Sequence, residues 1–192
     1  MSRRCLRSFS LAPVALLFAV STTAQQPPYA GREARPIKAL SADEIAAYLA
    51  GEGMGLALAA ELNGYPGPRH VLDLADSLVL SDTQRAAVQG MFDAMLVEAR
   101  RLGAAIVESE RRLDDAFAEG SVDGRSLETV LGRIGALQAE LRFTHLAAHL
   151  AVRDVLSPDQ IDRYRRLRGY AAPADAGHVH HPSRRPAGHS QR

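Results

Sequence analysis

The chain has 192 residues, 23 of them Lys or Arg and 22 Asp or Glu, with one cysteine and no tryptophan. That length suits a single domain with tails, and the near-even charge balance offers no basic footprint for nucleic acid. The one thiol, Cys5, leaves the rest of the chain without disulfides, thiolate metal sites or a cysteine nucleophile, and with aromatics at 5% there is little to line a large aromatic substrate pocket.

Arg3, Arg4 and Arg7 precede an apolar run from Leu11 to Val20, and Ser21-Thr22-Thr23-Ala24 follows with small residues. This is the pattern of an export signal over residues 1–24, cut after Ala24. The apolar run is short of the roughly 20 residues a transmembrane helix needs. The expected location is the periplasm, with an anchored form if the signal is not cleaved. Loss of the three arginines leaves 20 basic against 22 acidic residues, a net charge of about −2. Residues 25–40, with Pro27, Pro28 and Pro36, read as a linker.

A helical domain is expected over 41–170. Ser41-Ala42-Asp43-Glu44 is a capping box that opens a short helix to about Ala50. Gly51, Gly53 and Gly55 interrupt it. A turn or two follows over 56–62, and a third short helix over 70–78. Leu80-Ser81-Asp82-Thr83-Gln84 then opens a long helix, with Ser81 as cap and Gln84 three places on. Val88, Phe92, Met95, Ala99, Leu102, Ile106, Leu113 and Phe117 recur along it at coiled-coil-like steps, and Gly120 ends it. Such a rod needs a partner. A second helix over about 126–155 supplies one, with Leu127, Leu131, Ile134, Leu137, Leu141, Ala148, Val152 and Val155 as its apolar positions.

Leu156-Ser157-Pro158-Asp159-Gln160 repeats the earlier punctuation and opens a last short helix to about Arg168. Gly90, Gly103, Gly132 and Gly135 lie inside the long helices, each costing about 1 kcal/mol relative to alanine; close helix approach is the expected compensation. From 171 to 192 the composition predicts a disordered tail carrying His178, His180, His181 and His189, a loose metal-binding tract. The predicted fold class is all-α: a long antiparallel helical hairpin with short flanking helices.

No phosphate loop, nucleophile elbow or H-E-x-x-H motif is present, and no catalytic residue or organic cofactor is assigned. The sharpest constellation is His145-x-x-x-His149, two imidazoles one turn apart on an apolar helix face. A turn centred between residues 121 and 122 sets His145 opposite Glu98 and His149 opposite Ala94, with Met91 and Met95 nearby. Two imidazoles, a carboxylate and a thioether suit Zn, Ni, Co or Cu. Two alternatives stand beside this reading: a pair of hydrogen-bonded core histidines, and Glu98 as a surface acid paired to Arg101 or Arg142. His70, with Asp73 close by, reads as a helix-start or surface histidine.

The doubled punctuation, Leu80-Ser81 with Gln84 and Leu156-Ser157 with Gln160, resembles the paired LTxxQ motif of the Spy/CpxP-like periplasmic proteins. Their relatives are the zinc-resistance-associated proteins and periplasmic heavy-metal sensors. Serine replaces the usual threonine in both copies, and both are hydroxyl caps. The resemblance spans about residues 70–170. It implies a dimeric helical hairpin and one of two activities. One is metal binding through helix histidines, a glutamate and sometimes methionine, with His145 and His149 standing where sensor relatives carry such a pair. The other is ATP-independent chaperoning or envelope-stress modulation, with unfolded periplasmic proteins or a membrane-bound regulator as partners. Chaperone work would use an exposed apolar patch ringed by Arg100, Arg101, Arg111 and Arg112.

Overall fold

A computed structural model describes residues 28–170. The expected export signal at 1–24 and histidine tail at 171–192 lie outside the described residues. The described residues divide into two units, with the boundary between Glu33 and Ala34. In the described end of the first, Arg32 stacks over the Tyr29 ring at 5.7 Å.

In the second unit the regular structure among the described residues is α-helical. Helix α1 spans Ala42–Ala50, α2 Leu58–Glu61 and α3 Pro68–Asp73. Two long helices follow, α4 over Asp82–Ala118 and α5 over Gly124–Val155, and α6 over Pro158–Leu167 closes the described chain. At 1.5 Å per residue α4 and α5 are rods of about 55 and 48 Å, too long to persist without a packed face. They pack on each other as the antiparallel hairpin expected from their apolar repeats. Ala99, Leu102 and Ile106 of α4 share one buried cluster with Leu137 and Leu141 of α5. A second cluster joins Val88, Val152 and Leu156 to Val71, Leu78 and Tyr164, which ties α3 and α6 to the base of the hairpin.

The repeated motif forms a clasp. Ser81 and Ser157 each accept from the backbone N–H of the glutamine three residues on, and each glutamine Oε1 accepts from the serine backbone N–H. The two glutamines also bond each other: Gln84 Nε2 donates to Gln160 Oε1 at 2.9 Å, and Gln160 Nε2 to Gln84 Oε1 at 3.1 Å. Their remaining N–H groups reach the carbonyls of Val155 (3.0 Å) and Leu78 (3.3 Å). Each motif thus starts a helix and fastens it to the other helix start, a use of glutamine that capping alone does not require.

Of the four helix glycines, Gly103 alone answers the expected close approach, and its neighbour is α1. A Cβ there would stand 2.0 Å from the Tyr48 carbonyl oxygen. Gly90, Gly132 and Gly135 face open space, so nothing packed offsets their helix cost. The supposed linker also ends differently. Ile37 and Leu40 are buried against Val107, and Lys38 pairs with Asp114 at 2.7 Å. Two apolar residues in a proline-flanked stretch are too few to show a period. Toward the hairpin tip the core runs out: between residues 110 and 133 no residue is buried. Phe117 and Leu131, expected in the apolar stripe, are exposed there.

Candidate functional site

Helix α5 sets His145 and His149 on its buried stripe with Leu141, Ala148 and Val152; the two histidines are 4% and 8% exposed. Position 149 is held by the α2–α3 connection. Its Nδ1 lies 2.7 Å from the Tyr65 carbonyl oxygen. A carbonyl can only accept, so in the neutral imidazole the proton sits on Nδ1 and the lone pair on Nε2. His145 Nε2 is buried and has no hydrogen-bond partner. Burial, and then the neighbouring His149, hold the His145 imidazole below its ordinary pKa, so it is neutral and able to act as a donor ligand at neutral pH.

The carboxylate beside this pair is Glu61, at the end of α2 and 6% exposed. Its Oε2 accepts from the Gly67 N–H at 3.1 Å and lies 3.8 Å from His149 Nδ1. Its Oε1 accepts from the Tyr164 hydroxyl of α6 and sits 3.3 Å from His70 Nδ1 and 3.6 Å from Arg168 Nε. Burial and this bond push the Tyr164 phenol pKa far up, so it stays a donor. Gly67 keeps the space between imidazole and carboxylate open. A Cβ there would lie 2.9 Å from His149 Nε2 and 3.4 Å from Glu61 Oε2.

His145, His149, Glu61 and His70 line one cavity of about 650 Å³, together with Met95, Phe92 and the loop bearing Met54. His70, read from sequence as a helix-start or surface histidine, is the third residue of α3 with its side chain 40% exposed, and it also stands by Glu61. Glu98 is placed elsewhere. It pairs with Arg101 through both carboxylate oxygens at 2.8 and 2.5 Å, the alternative left open by the sequence, and that bond holds its pKa down. It is not among the residues lining the cavity. On a helix one residue is a turn of 100°, so the neighbour of buried Ala99 faces away although its height along the hairpin is right. Glu61 was not singled out from sequence; a lone acid in a four-residue helix carries no periodic signal.

The donors present suit a metal ion: an orphaned buried imidazole nitrogen, a second imidazole of fixed tautomer, and a buried carboxylate across a space that glycine leaves free. Among the described residues, however, no three His, Cys, Asp or Glu side chains form a group ready to hold an ion. The donors share a cavity without converging.

The fold is an all-helical hairpin with histidines and a carboxylate lining one cavity at its base. The family described as heavy-metal resistance matches residues 14–163. The chain belongs to that family, as the doubled motif implied. No curated protein and no solved structure matches the chain.

Proposed function

We propose that the protein is a periplasmic, non-enzymatic metal-binding protein of the heavy-metal resistance and sensor type. It takes a divalent transition ion, Zn, Ni, Co or Cu, at His145 and His149, with Glu61 as the carboxylate in place of Glu98. The observation that carries this reading is the buried, unpartnered Nε2 of His145, on a residue that lines the same cavity as His149 and Glu61. An unpaired buried polar atom is costly, and an ion would satisfy it. Binding only the folded chain, an ion at 100 times its dissociation constant stabilises it by about 2.7 kcal/mol.

Melting curves with each of the four metals test it. His145→Ala and His149→Ala should abolish the metal-induced rise and Glu61→Gln should weaken it. Glu98→Gln and removal of residues 171–192 should leave most of it. If tail removal alone ends the effect, the helical site is wrong.

A second reading, an ATP-independent chaperone of unfolded periplasmic proteins, is favoured by apolar side chains exposed on the hairpin. Phe143 and Val97 are each 70% exposed, and Leu150 is 55% exposed. The same side chains would serve a homodimer. The expected arginine ring is weakened, because Arg101 is paired to Glu98, and Arg111 and Arg112 to Glu108. Suppression of aggregation of a denatured client at two-fold excess decides it, and Phe143→Ser should abolish such suppression.

A further inference from the structure

The carboxylate that an ion would need is already held by another helix. Glu61 is 6% exposed, and both of its oxygens are taken. Oε2 accepts from the Gly67 N–H at 3.1 Å; Oε1 accepts from the Tyr164 hydroxyl and stands 3.6 Å from Arg168 Nε. The carboxylate also faces the protonated edge of the imidazole. Oε2 lies 3.8 Å from His149 Nδ1, which carries the proton, whereas an ion binds at the Nε2 lone pair. Glu61 must therefore leave its present place to share an ion with His145 and His149. A side chain pinned at both oxygens cannot swing and keep both bonds.

The group it would leave is the far half of α6. Tyr164 is the one residue that α6 buries, and its hydroxyl donates to Glu61. Arg168, the C-cap of α6, donates through Nη2 to the Tyr170 hydroxyl at 3.0 Å. Ahead of Tyr164 the helix is fastened independently, by the Gln84–Gln160 pair. The polar contacts of residues 164–170 with the cavity wall thus run through Glu61.

We propose that the ion and α6 compete for Glu61. Tyr164 is a positioning residue that holds the carboxylate off the histidines. An ion that draws Glu61 across strips Tyr164 and Arg168 of their anionic partner and loosens residues 164–170. Metal occupancy becomes a change at the end of α6. This rests on the reading of His145, His149 and Glu61 as ligands and adds the regulation of that site. The coupling is reciprocal: the factor by which α6 docking lowers metal affinity is the factor by which the ion weakens α6 docking.

Zn(II) alone is the probe, on the full chain. In amide hydrogen exchange read by mass spectrometry, saturating Zn(II) should speed exchange at residues 164–170 by about fivefold or more. Exchange in α5 around the histidines should slow. Tyr164→Phe keeps the ring in the core and removes the hydroxyl. By calorimetric titration it should bind Zn(II) about fivefold more tightly or better, and Zn(II) should then leave exchange at 164–170 unchanged. If Tyr164 merely steadies Glu61 for the ion, the signs reverse: Tyr164→Phe weakens Zn(II) binding by about tenfold or more, and Zn(II) slows exchange at 164–170. Either reversal, or equal affinity in the variant, overturns the proposal while Zn(II) binding at the histidines stands. If Zn(II) neither binds nor raises the melting temperature of the unaltered protein, the metal reading falls, and the competition with it.

Discussion

Gln84→Glu replaces one NH₂ group by an oxygen and changes almost nothing in shape. In the folded protein that NH₂ donates to the Val155 carbonyl and to Gln160 Oε1. The new carboxylate oxygen faces two acceptors and donates to neither. Gln160 Oε1 keeps the Ser157 N–H as a donor, whereas the Val155 carbonyl loses its side-chain donor, and a partly buried acceptor so left costs about 1–3 kcal/mol. The clasp is only partly shielded from water, and the introduced carboxylate also faces the Gln160 oxygen, so the loss is about 1–3 kcal/mol. At about 2–4 °C per kcal/mol for a chain of this size, the midpoint should fall by roughly 2–12 °C at pH 7. The sign with pH follows from the same contacts. Facing two acceptors, the introduced carboxyl prefers its proton in the folded state, so its folded pKa lies above the unfolded value of about 4.3. The penalty is then full above the folded pKa, fades as pH falls through it, and reaches its floor below the unfolded value. Far-ultraviolet circular dichroism melts of variant and unaltered protein, compared at pH 7 and pH 4, measure it. A midpoint within about 1 °C of the unaltered protein at pH 7, or a gap that widens on acidification, would refute the idea that the paired glutamines hold the two helix starts together.

Gly103→Ala should destabilise by about 1–3 kcal/mol, because the new methyl overlaps the Tyr48 carbonyl, whereas Gly132→Ala and Gly135→Ala should each stabilise by about 0.5–1 kcal/mol; urea titrations separate the two outcomes. The folded-state pKa of His145 is depressed, chiefly by burial. Its neutral form therefore contributes stability that is complete above the unfolded pKa of about 6.5 and lost as pH falls through the folded value. His145→Met should flatten the fall of metal-free stability as pH drops below about 6.5, and an unchanged slope would show that the histidine is not the group responsible.

The hairpin was legible because its apolar steps run for many turns, and Leu102 with Leu141 and Ile106 with Leu137 share a cluster as a turn between residues 121 and 122 requires. Helix starts were legible where a hydroxyl and a glutamine or glutamate lie three apart. The start of α5 is a capping box of another composition, Asp123 with Ser126. The third short helix begins two residues early, at Pro68, and is shorter than expected. The histidine pair was visible from its spacing, but its carboxylate was not. Glu61 meets Tyr164, which lies 103 positions along the chain, through α2 and α6, whose relative placement no periodicity encodes. Glu98 has the expected height on α4 but pairs with Arg101 and does not line the cavity, a difference of side that one-dimensional register cannot detect.

The absence of buried residues between 110 and 133 has a consequence for how this architecture can vary. The register of the hairpin is set below that zone by the Leu102 and Val88 clusters, and the histidines hang from the same layers. The outer turns carry no packed layer that must be kept in step, and surface segments of that kind tolerate insertion and deletion. Removing one turn from each arm between Asp115 and Thr129 would shorten the rod and leave Lys38 on Asp114, the glutamine clasp and the cavity in place. The reach of the molecule and the chemistry at its base are therefore separate quantities, free to change one without the other.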